Sequence, residues 1–235
     1  RKLGWHRGYR YHATKQEEVA DIQRELGEKV EVLMVENLPR KAAEAPPAVI
    51  SKQPGELRLV HVARISPEKN LDYALKVLGK LSGKVRFDVY GPVYNAAYWE
   101  QCQEIIAGLP PNIEVVHHGS VNSGAVMEVV SASHAMLMPT RGENYGHIII
   151  ESLLAGRPVV ISDQTPWRQL AAQRIGWDLS LNDPDAFVRV LQELVDMPAE
   201  PFGAYAAAAH AFARKEVARP GLVAGYHALF ERPTQ

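Results

Sequence analysis

From Leu57 onward the chain alternates short apolar runs with amphipathic stretches, in a strand-then-helix rhythm. Leu57 to Ala63 predicts a strand, and Leu71, Leu75, Leu78 and Leu81 recur at the spacing of one helix face. Val85, Phe87 and Val89 alternate with Arg86, Asp88 and Tyr90, the period of a half-buried strand. Asn95 is placed to cap a helix running to about Ala107. Ile113 to His117 predicts a strand, Ser123 to Ser131 a helix, and Ala135 to Met138 a strand. A helix from about Tyr145 to Ala155 leads into a strand from Pro158 to Ile161. Five short strands, each followed by a helix, predict βαβ units and a doubly wound, Rossmann-like parallel sheet covered on both faces. The stretch from Asp183 to Phe230 reads as mostly helical.

The opening residues form a smaller pattern. Tyr9 to Ala13 predicts a strand. Thr14 with Glu17 makes a capping box for a helix carrying Val19, Ile22 and Leu26 on one face. Gly27 offers a left-handed stop, and Val30 to Val35 a second strand. One helix and two strands close no core, so this unit needs a partner layer. Residues 41–56 are dense in Pro, Ala and charge without an apolar period, which is linker composition. The expected organisation is an opening unit over 1–40, a linker over 41–56, and a main domain with a helical tail over 57–235.

Composition narrows the picture by exclusion. Of 235 residues, 46% are apolar and 23% charged, the proportions of an ordinary globular protein. Lys and Arg number 26 against 27 Asp and Glu, so no global field favours nucleic acid or an anionic membrane. No apolar run reaches the roughly 18 residues of a membrane-spanning helix. Cys102 has no second cysteine to pair with, consistent with a reducing compartment. Arg1 to His6 shows neither an initiator Met nor an apolar leader core, so the start reads as a cut from something longer.

In open parallel sheets, ligands sit outside the carboxyl ends of the strands, where strand order reverses. The loops predicted there are Arg64 to Asn70, Gly91 to Asn95, His118 to Ser123, Pro139 to Gly146 and Ser162 to Arg168, and four of them carry chemically loaded residues. The segment Pro139-Thr-Arg-Gly-Glu-Asn-Tyr-Gly-His-Ile-Ile-Ile-Glu-Ser-Leu-Leu-Ala-Gly-Arg-Pro158 places Glu143 before a helix and Glu151 within it, seven residues between them. The free amides at Tyr145, Gly146 and His147 and the positive end of the helix dipole suit an anion. Glu151 lies in an otherwise apolar helix, where an unpaired carboxylate is costly. In Arg64-Ile-Ser-Pro-Glu-Lys69, two cations on a strand exit can converge on adjacent phosphates.

Arg64 with Lys69, the Glu143-x₇-Glu151 pair followed by Ala155-Gly156-Arg157-Pro158, and Gly91 after a Phe-x-Val-Tyr strand resemble the family-4 (group 1) retaining glycosyltransferases of GT-B fold. The resemblance spans about residues 57–195. It implies the carboxyl-terminal half of such an enzyme, which moves a sugar from a nucleotide-diphosphate donor to an acceptor hydroxyl in glycan or polysaccharide synthesis. The roles it implies are catalytic for Glu143, Arg64 and Lys69. Donor contacts fall on Arg64, Lys69, Gly91, Glu143, Asn144, Tyr145, Gly146, His147 and Glu151, with Glu151 on the ribose and Glu143 on the sugar hydroxyls. It implies no cofactor and no obligatory metal. A glycan or lipid-linked acceptor would come through a first domain largely absent here, so the chain alone is expected to be inactive. The implied compartment is the cytoplasm, with peripheral attachment to the inner membrane face left open. Tyr145 replaces a small apolar residue or Phe of the family pattern, and His147 an apolar one. Neither His6 nor His12 stands in a context that replaces the catalytic His often supplied by the first domain.

Other motifs resolve more simply. In Asp183-Pro184-Asp185, Pro184 at the first helical position makes Asp183 an N-cap rather than a metal ligand. His117 and His118, adjacent on a strand, point to opposite faces and cannot readily share an ion. No Gly-x-Gly-x-x-Gly follows a strand, which removes the main support for a dinucleotide oxidoreductase. Cys102 is expected to pack within a helix. Two alternatives stay open: a nucleotide-sugar-binding module without transfer activity, and a nucleotide-sugar epimerase.

Overall fold

The computed structural model describes residues 9–37 and 50–231, which group into two compact units. Arg1 to His6 and most of the expected linker lie outside the described residues.

In the smaller unit, β1 (Arg10–Ala13) and β2 (Glu31–Met34) pair in parallel around α1 (Gln16–Leu26). Thr14 is not the expected N-cap: Lys15 holds that position, and the Thr14 amide and hydroxyl both donate to Glu18, each at 2.7 Å, rather than to Glu17. Gly27 has a positive φ of 104° but an extended ψ of 152°, so it ends α1 without being left-handed helical. Residues 216–231, expected to belong to the main domain, group with this unit. The guanidinium of Arg10 donates to the carbonyls of Ala228 and Glu231 and thereby caps the helix Leu222–Phe230. His12 donates to the Val35 carbonyl at 2.7 Å and stands edge-on to Tyr226.

The larger unit is built on six parallel strands: β3 (Glu56–Val62), β4 (Lys84–Tyr90), β5 (Ile113–His117), β6 (Ala135–Met138), β7 (Val159–Ser162) and β8 (Gly176–Leu179). The helices are α2 (Leu71–Leu78), α3 (Ala96–Ala107), α4 (Val126–Ser131), α5 (His147–Leu154), α6 (Pro184–Asp196), α7 (Ala199–Val217) and, in the smaller unit, α8 (Leu222–Phe230). β6 and β7 are buried at every position, which is why they read as unbroken apolar runs. β8 was not expected. Its four residues, Gly-Trp-Asp-Leu, show neither alternation nor an apolar run, and its place is set by pairing with β7. Correspondingly, β7 leads into an irregular segment over 163–175 and not into a helix.

Cover on both faces holds only in part. One face of β3–β5 presents Leu57, Leu59, Val85, Phe87, Val89 and Ile113 to a core shared with Leu71, Leu75 and Leu78 of α2 and with Cys102, Phe187 and Leu191. Burial pushes the Cys102 thiol up to about 11. On the opposite face of β4 and β5 the side chains remain half-exposed and satisfy one another. Arg86 pairs with Asp88 at 3.0 Å and Glu114 at 3.2 Å, and His118 with Asp88 at 2.7 Å while stacking on Tyr90.

The linker expectation also fails at its end. Lys52 is 1% exposed, and its ammonium donates to the carbonyls of Gln53, Val195 and Met197 at the end of α6. These are carbonyls a helix terminus cannot satisfy internally. Asp183 does cap α6, accepting from the Ala186 amide at 3.0 Å, and Asp185 pairs with Lys80. Among the described residues no helix is long and apolar enough to cross a membrane.

Two histidines are buried in this unit. His134 accepts at Nδ1 from the Arg58 amide (2.9 Å) and donates from Nε2 to the Ser51 carbonyl (2.9 Å), an arrangement that requires the neutral ring. His61 donates from Nδ1 to the Leu137 carbonyl at 3.0 Å. Burial lowers each to about 4, so both are neutral in the folded state while the unfolded chain protonates them near 6.5. A depressed folded value means stability that is full above pH 6.5 and lost as pH falls toward 4. Urea unfolding is therefore expected to show a midpoint that drops steeply between pH 6.5 and 4.5, and the paired substitutions His61→Leu and His134→Gln flatten that drop. A midpoint unchanged across this range contradicts the neutral assignment.

Candidate functional site

The strand order β5-β4-β3-β6-β7-β8 puts β3 beside β6, although two strands separate them in sequence. The chain fills one half of the sheet outward from β3, returns, and fills the other half from β6. At such a reversal of strand order, open parallel sheets hold ligands at the carboxyl ends of the strands. Arg64 to Lys69 leave β3 at this switch point, and Pro139 to Gly146 leave β6.

Backbone and side chains lock the two loops together. Asn70, 2% exposed and left-handed at φ 59°, donates from Nδ2 to the Pro139 carbonyl (2.9 Å) and accepts from Arg141 Nε (3.1 Å). The Glu68 carbonyl accepts from the Arg141 amide (2.8 Å) and the Thr140 hydroxyl (3.0 Å). Sequence reasoning missed this latch. The only trace of it is that Asn tolerates the left-handed conformation better than other non-Gly residues.

On this frame Lys69 donates from Nζ to Glu143 Oε2 at 2.8 Å, with the two side chains 16% and 21% exposed. The two residues singled out on separate loops are thus directly paired. Arg64 does not share this pair. Its guanidinium lies over the Tyr94 ring, 4.8 Å from the centroid. Tyr94 belongs to the β4 exit loop, which is zipped to the β3 exit by Ile65 and Tyr94 bonds to the carbonyls of Pro92 and Ile65. The Ser66 hydroxyl donates to Glu68 at 2.6 Å and, with Arg64 and Lys69 nearby, holds that carboxyl below its ordinary range. Gly91 has a backbone reason of its own. A Cβ there would lie 1.8 Å from the Ala63 carbonyl oxygen, so only Gly lets the β3 and β4 exits touch.

α5 begins at His147, later than the expected Tyr145, because Gly146 takes the left-handed conformation (φ 79°, ψ 62°) as its N-cap. A Cβ at Gly146 would strike Ile149 at 2.6 Å. Among the described residues, the amides of Gly146, His147 and Ile148 donate to no other group. Tyr145 precedes them outside the helix, its ring 4.9 Å from that of His147. The Asn144 amide turns back onto Glu143 Oε1 at 3.1 Å. Glu151 is 6% exposed and lies about 6 Å along the axis from the first helical residue, nearer than a start at Tyr145 implied.

Elsewhere the candidates separate. His117 donates to the Gly91 carbonyl and packs on Trp99, whereas His118 faces Asp88 and Tyr90, so the two rings diverge as their strand positions require. Among the described residues no group of three or more His, Cys, Asp or Glu converges as metal ligands do. A cavity of about 450 Å³ opens at the amino ends of β3–β5, lined by Glu56, Arg58, Lys84, Arg86 and Glu114. Lys84 and Arg86 are matched there by Glu56 and Glu114. The residues singled out in the sequence lie at the other end of the sheet, on the loops that leave the strands.

Comparison with known proteins bears on the family and the fold. Residues 44–211 match the model of the family described as glycosyl transferases group 1. Over 109 residues the chain is 27% identical to the sulfoquinovosyl transferase SQD2 of Arabidopsis thaliana, a match covering 46% of this chain and 20% of that protein. Among solved structures, sucrose-phosphate synthase of Thermosynechococcus elongatus superposes with a TM-score of 0.68 at 17% identity, over 97% of this chain and 60% of that one. HepE of Anabaena, solved with UDP and glucose, superposes with a TM-score of 0.68 at 16% identity, over 93% of this chain and 61% of that one. The chain therefore spans one fifth of its curated relative and about three fifths of these structures. The fold is the Rossmann-like carboxyl-terminal half of a GT-B glycosyltransferase. With the family model covering most of its length, the chain belongs to the group 1 glycosyl transferases.

Proposed function

We propose that this chain is the donor-binding half of a retaining glycosyltransferase that takes a sugar from a nucleoside diphosphate and delivers it to an acceptor hydroxyl. The observation that carries the reading is that Lys69 pairs with Glu143, whose side chain packs beside Gly146, and that among the described residues the amides of Gly146, His147 and Ile148 at the start of α5 donate to no other group. An ammonium and a helix N-terminus hold a diphosphate, and a carboxylate beside them accepts from sugar hydroxyls. Arg64, stacked on Tyr94 at the same strand exit, supplies a planar fork for a second phosphate. Glu151, one turn into α5, is assigned to the ribose hydroxyls. Gly91 keeps the neighbouring loop close, and Asn144, Tyr145 and His147 complete the wall.

The reaction breaks the bond between the anomeric carbon and the diphosphate oxygen. The acceptor hydroxyl forms the new bond from the face that the diphosphate vacates, and its proton passes to the departing phosphate oxygen. Negative charge grows on the leaving oxygens, and the preformed cations and amides stabilise it without reorganising. The acceptor, a glycan or a lipid-linked saccharide, is assigned to a first domain to which the smaller unit belongs. Calorimetric titration of the chain with UDP, GDP, ADP and their sugar conjugates tests the reading. Saturable binding of at least one is expected, and no heat from any of them contradicts it.

A further inference from the structure

The end of β7 and the segment that follows it grip the β6–α5 loop at three points. The Ser162 hydroxyl donates to the Thr140 carbonyl at 2.5 Å, the Glu143 amide donates to the Gln164 carbonyl at 3.2 Å, and the Trp167 indole Nε1–H donates to the Tyr145 carbonyl at 2.5 Å. The third contact falls on the peptide group that leads into the helix N-cap. A trans peptide is planar, and its N–H points opposite to its C=O. Fixing the Tyr145 carbonyl on the indole therefore fixes the direction of the Gly146 N–H, which is turned away from Trp167. That amide is the first of the three that engage no other group among the described residues.

Trp167 is itself held from several sides. Its backbone amide donates to the Thr165 hydroxyl at 3.2 Å, and Thr165 is 3% exposed. Its ring stands edge-on to those of Tyr145 and Phe212, with centroids 5.9 Å and 6.3 Å away. Beyond it, Gln169 takes a positive φ of 58°, a conformation uncommon outside Gly, and the Asp178 carboxylate accepts from the Gln169 and Leu170 amides at 3.1 Å and 3.0 Å. Gly146 lacks a side chain, so its own backbone conformation is restricted less than that of other residues. An external pin is what selects one orientation.

We infer that Trp167 is a positioning residue, its indole N–H setting the Tyr145–Gly146 peptide so that the Gly146 amide meets the donor diphosphate. The inference rests on the donor-site reading above. It assigns a function to the irregular segment after β7, whose residues touch the site only through the loop they hold.

The test compares the unaltered chain with Trp167→Phe, which keeps an aromatic ring on the side of Tyr145 and Phe212 and removes the indole N–H together with its five-membered ring. Dissociation constants are measured for UDP, GDP and ADP and for the matching nucleosides. Trp167→Phe is expected to weaken the diphosphate that the unaltered chain binds by about tenfold, as loss of one charge-assisted hydrogen bond does, and to leave the nucleoside constant unchanged. Should Trp167→Phe fail to fold, Thr165→Val, which frees the Trp167 backbone, gives a smaller loss with the same selectivity for the diphosphate. Equal weakening of diphosphate and nucleoside, or no weakening of either in a variant of unchanged melting temperature, overturns the positioning role. An unaltered chain that binds none of these nucleotides overturns the donor-site reading and this inference with it.

Discussion

Lys69→Ala is expected to weaken nucleoside diphosphate binding to the chain by about 10- to 100-fold, the worth of one hydrogen bond between charged partners. In a transferase carrying both domains the loss of turnover is larger, about 10²- to 10³-fold, because the charge on the leaving diphosphate grows in the transition state. The fold loses far less. The Lys69–Glu143 pair is partly exposed, and such pairs contribute about 1 kcal/mol or less, a shift of roughly 2–4 °C in melting temperature for a chain of this size. Glu143 then remains at a helix N-terminus, where a carboxylate is favoured. Calorimetry and thermal unfolding on the same sample separate the two effects. Unchanged affinity, or collapse of the fold, speaks against a phosphate role for Lys69.

Glu143→Gln is expected to move two measurements in opposite directions. The carboxylate neutralises Lys69 at 2.8 Å, so an arriving phosphate must draw the ammonium away from an existing partner and approach a negative charge. The isosteric amide removes both costs, and the affinity for the bare nucleoside diphosphate rises by about tenfold. Transfer by the two-domain enzyme falls by about 100-fold or more, because the amide is a poor acceptor for sugar hydroxyls and leaves the product bound more tightly. A structural role alone would lower both. The Lys69 pairing makes this split specific, since a Glu143 that touched only the sugar would leave diphosphate affinity unchanged.

The strands that carry the site were legible because their burial is extreme. β6 and β7 are apolar throughout, β4 alternates cleanly, and Leu71, Leu75 and Leu78 mark α2 without ambiguity. β8 was not legible, since a four-residue edge strand containing Gly and Asp is specified by its neighbour and not by its own pattern. Lys52 looked like linker for the same reason, because the carbonyls it caps lie more than 140 residues away. At the site, Arg64, Lys69, Glu143 and Glu151 stood out by residue type and position relative to strand exits. What holds them did not stand out. Asn70, Thr140, Ser162 and Trp167 act through backbone carbonyls on distant loops, and a bond from a side chain to a carbonyl leaves no mark on the residue that accepts it. The Lys69–Glu143 pair likewise depends on β3 and β6 being neighbours, a fact of topology that local spacing does not carry.

The central claim is that the switch point between the β3 and β6 exits holds a nucleoside diphosphate sugar. It is tested most directly by mapping backbone amide shifts of the isotopically labelled chain at saturation with the nucleotide that binds tightest. The largest shifts are predicted at Arg64–Lys69 and at Glu143–Ile148, with Gly146 and His147 moving downfield as their amides engage phosphate. Shifts concentrated instead at Glu56, Arg58, Lys84, Arg86 and Glu114, around the cavity at the amino ends of the strands, would place the ligand at the wrong end of the sheet and contradict the account.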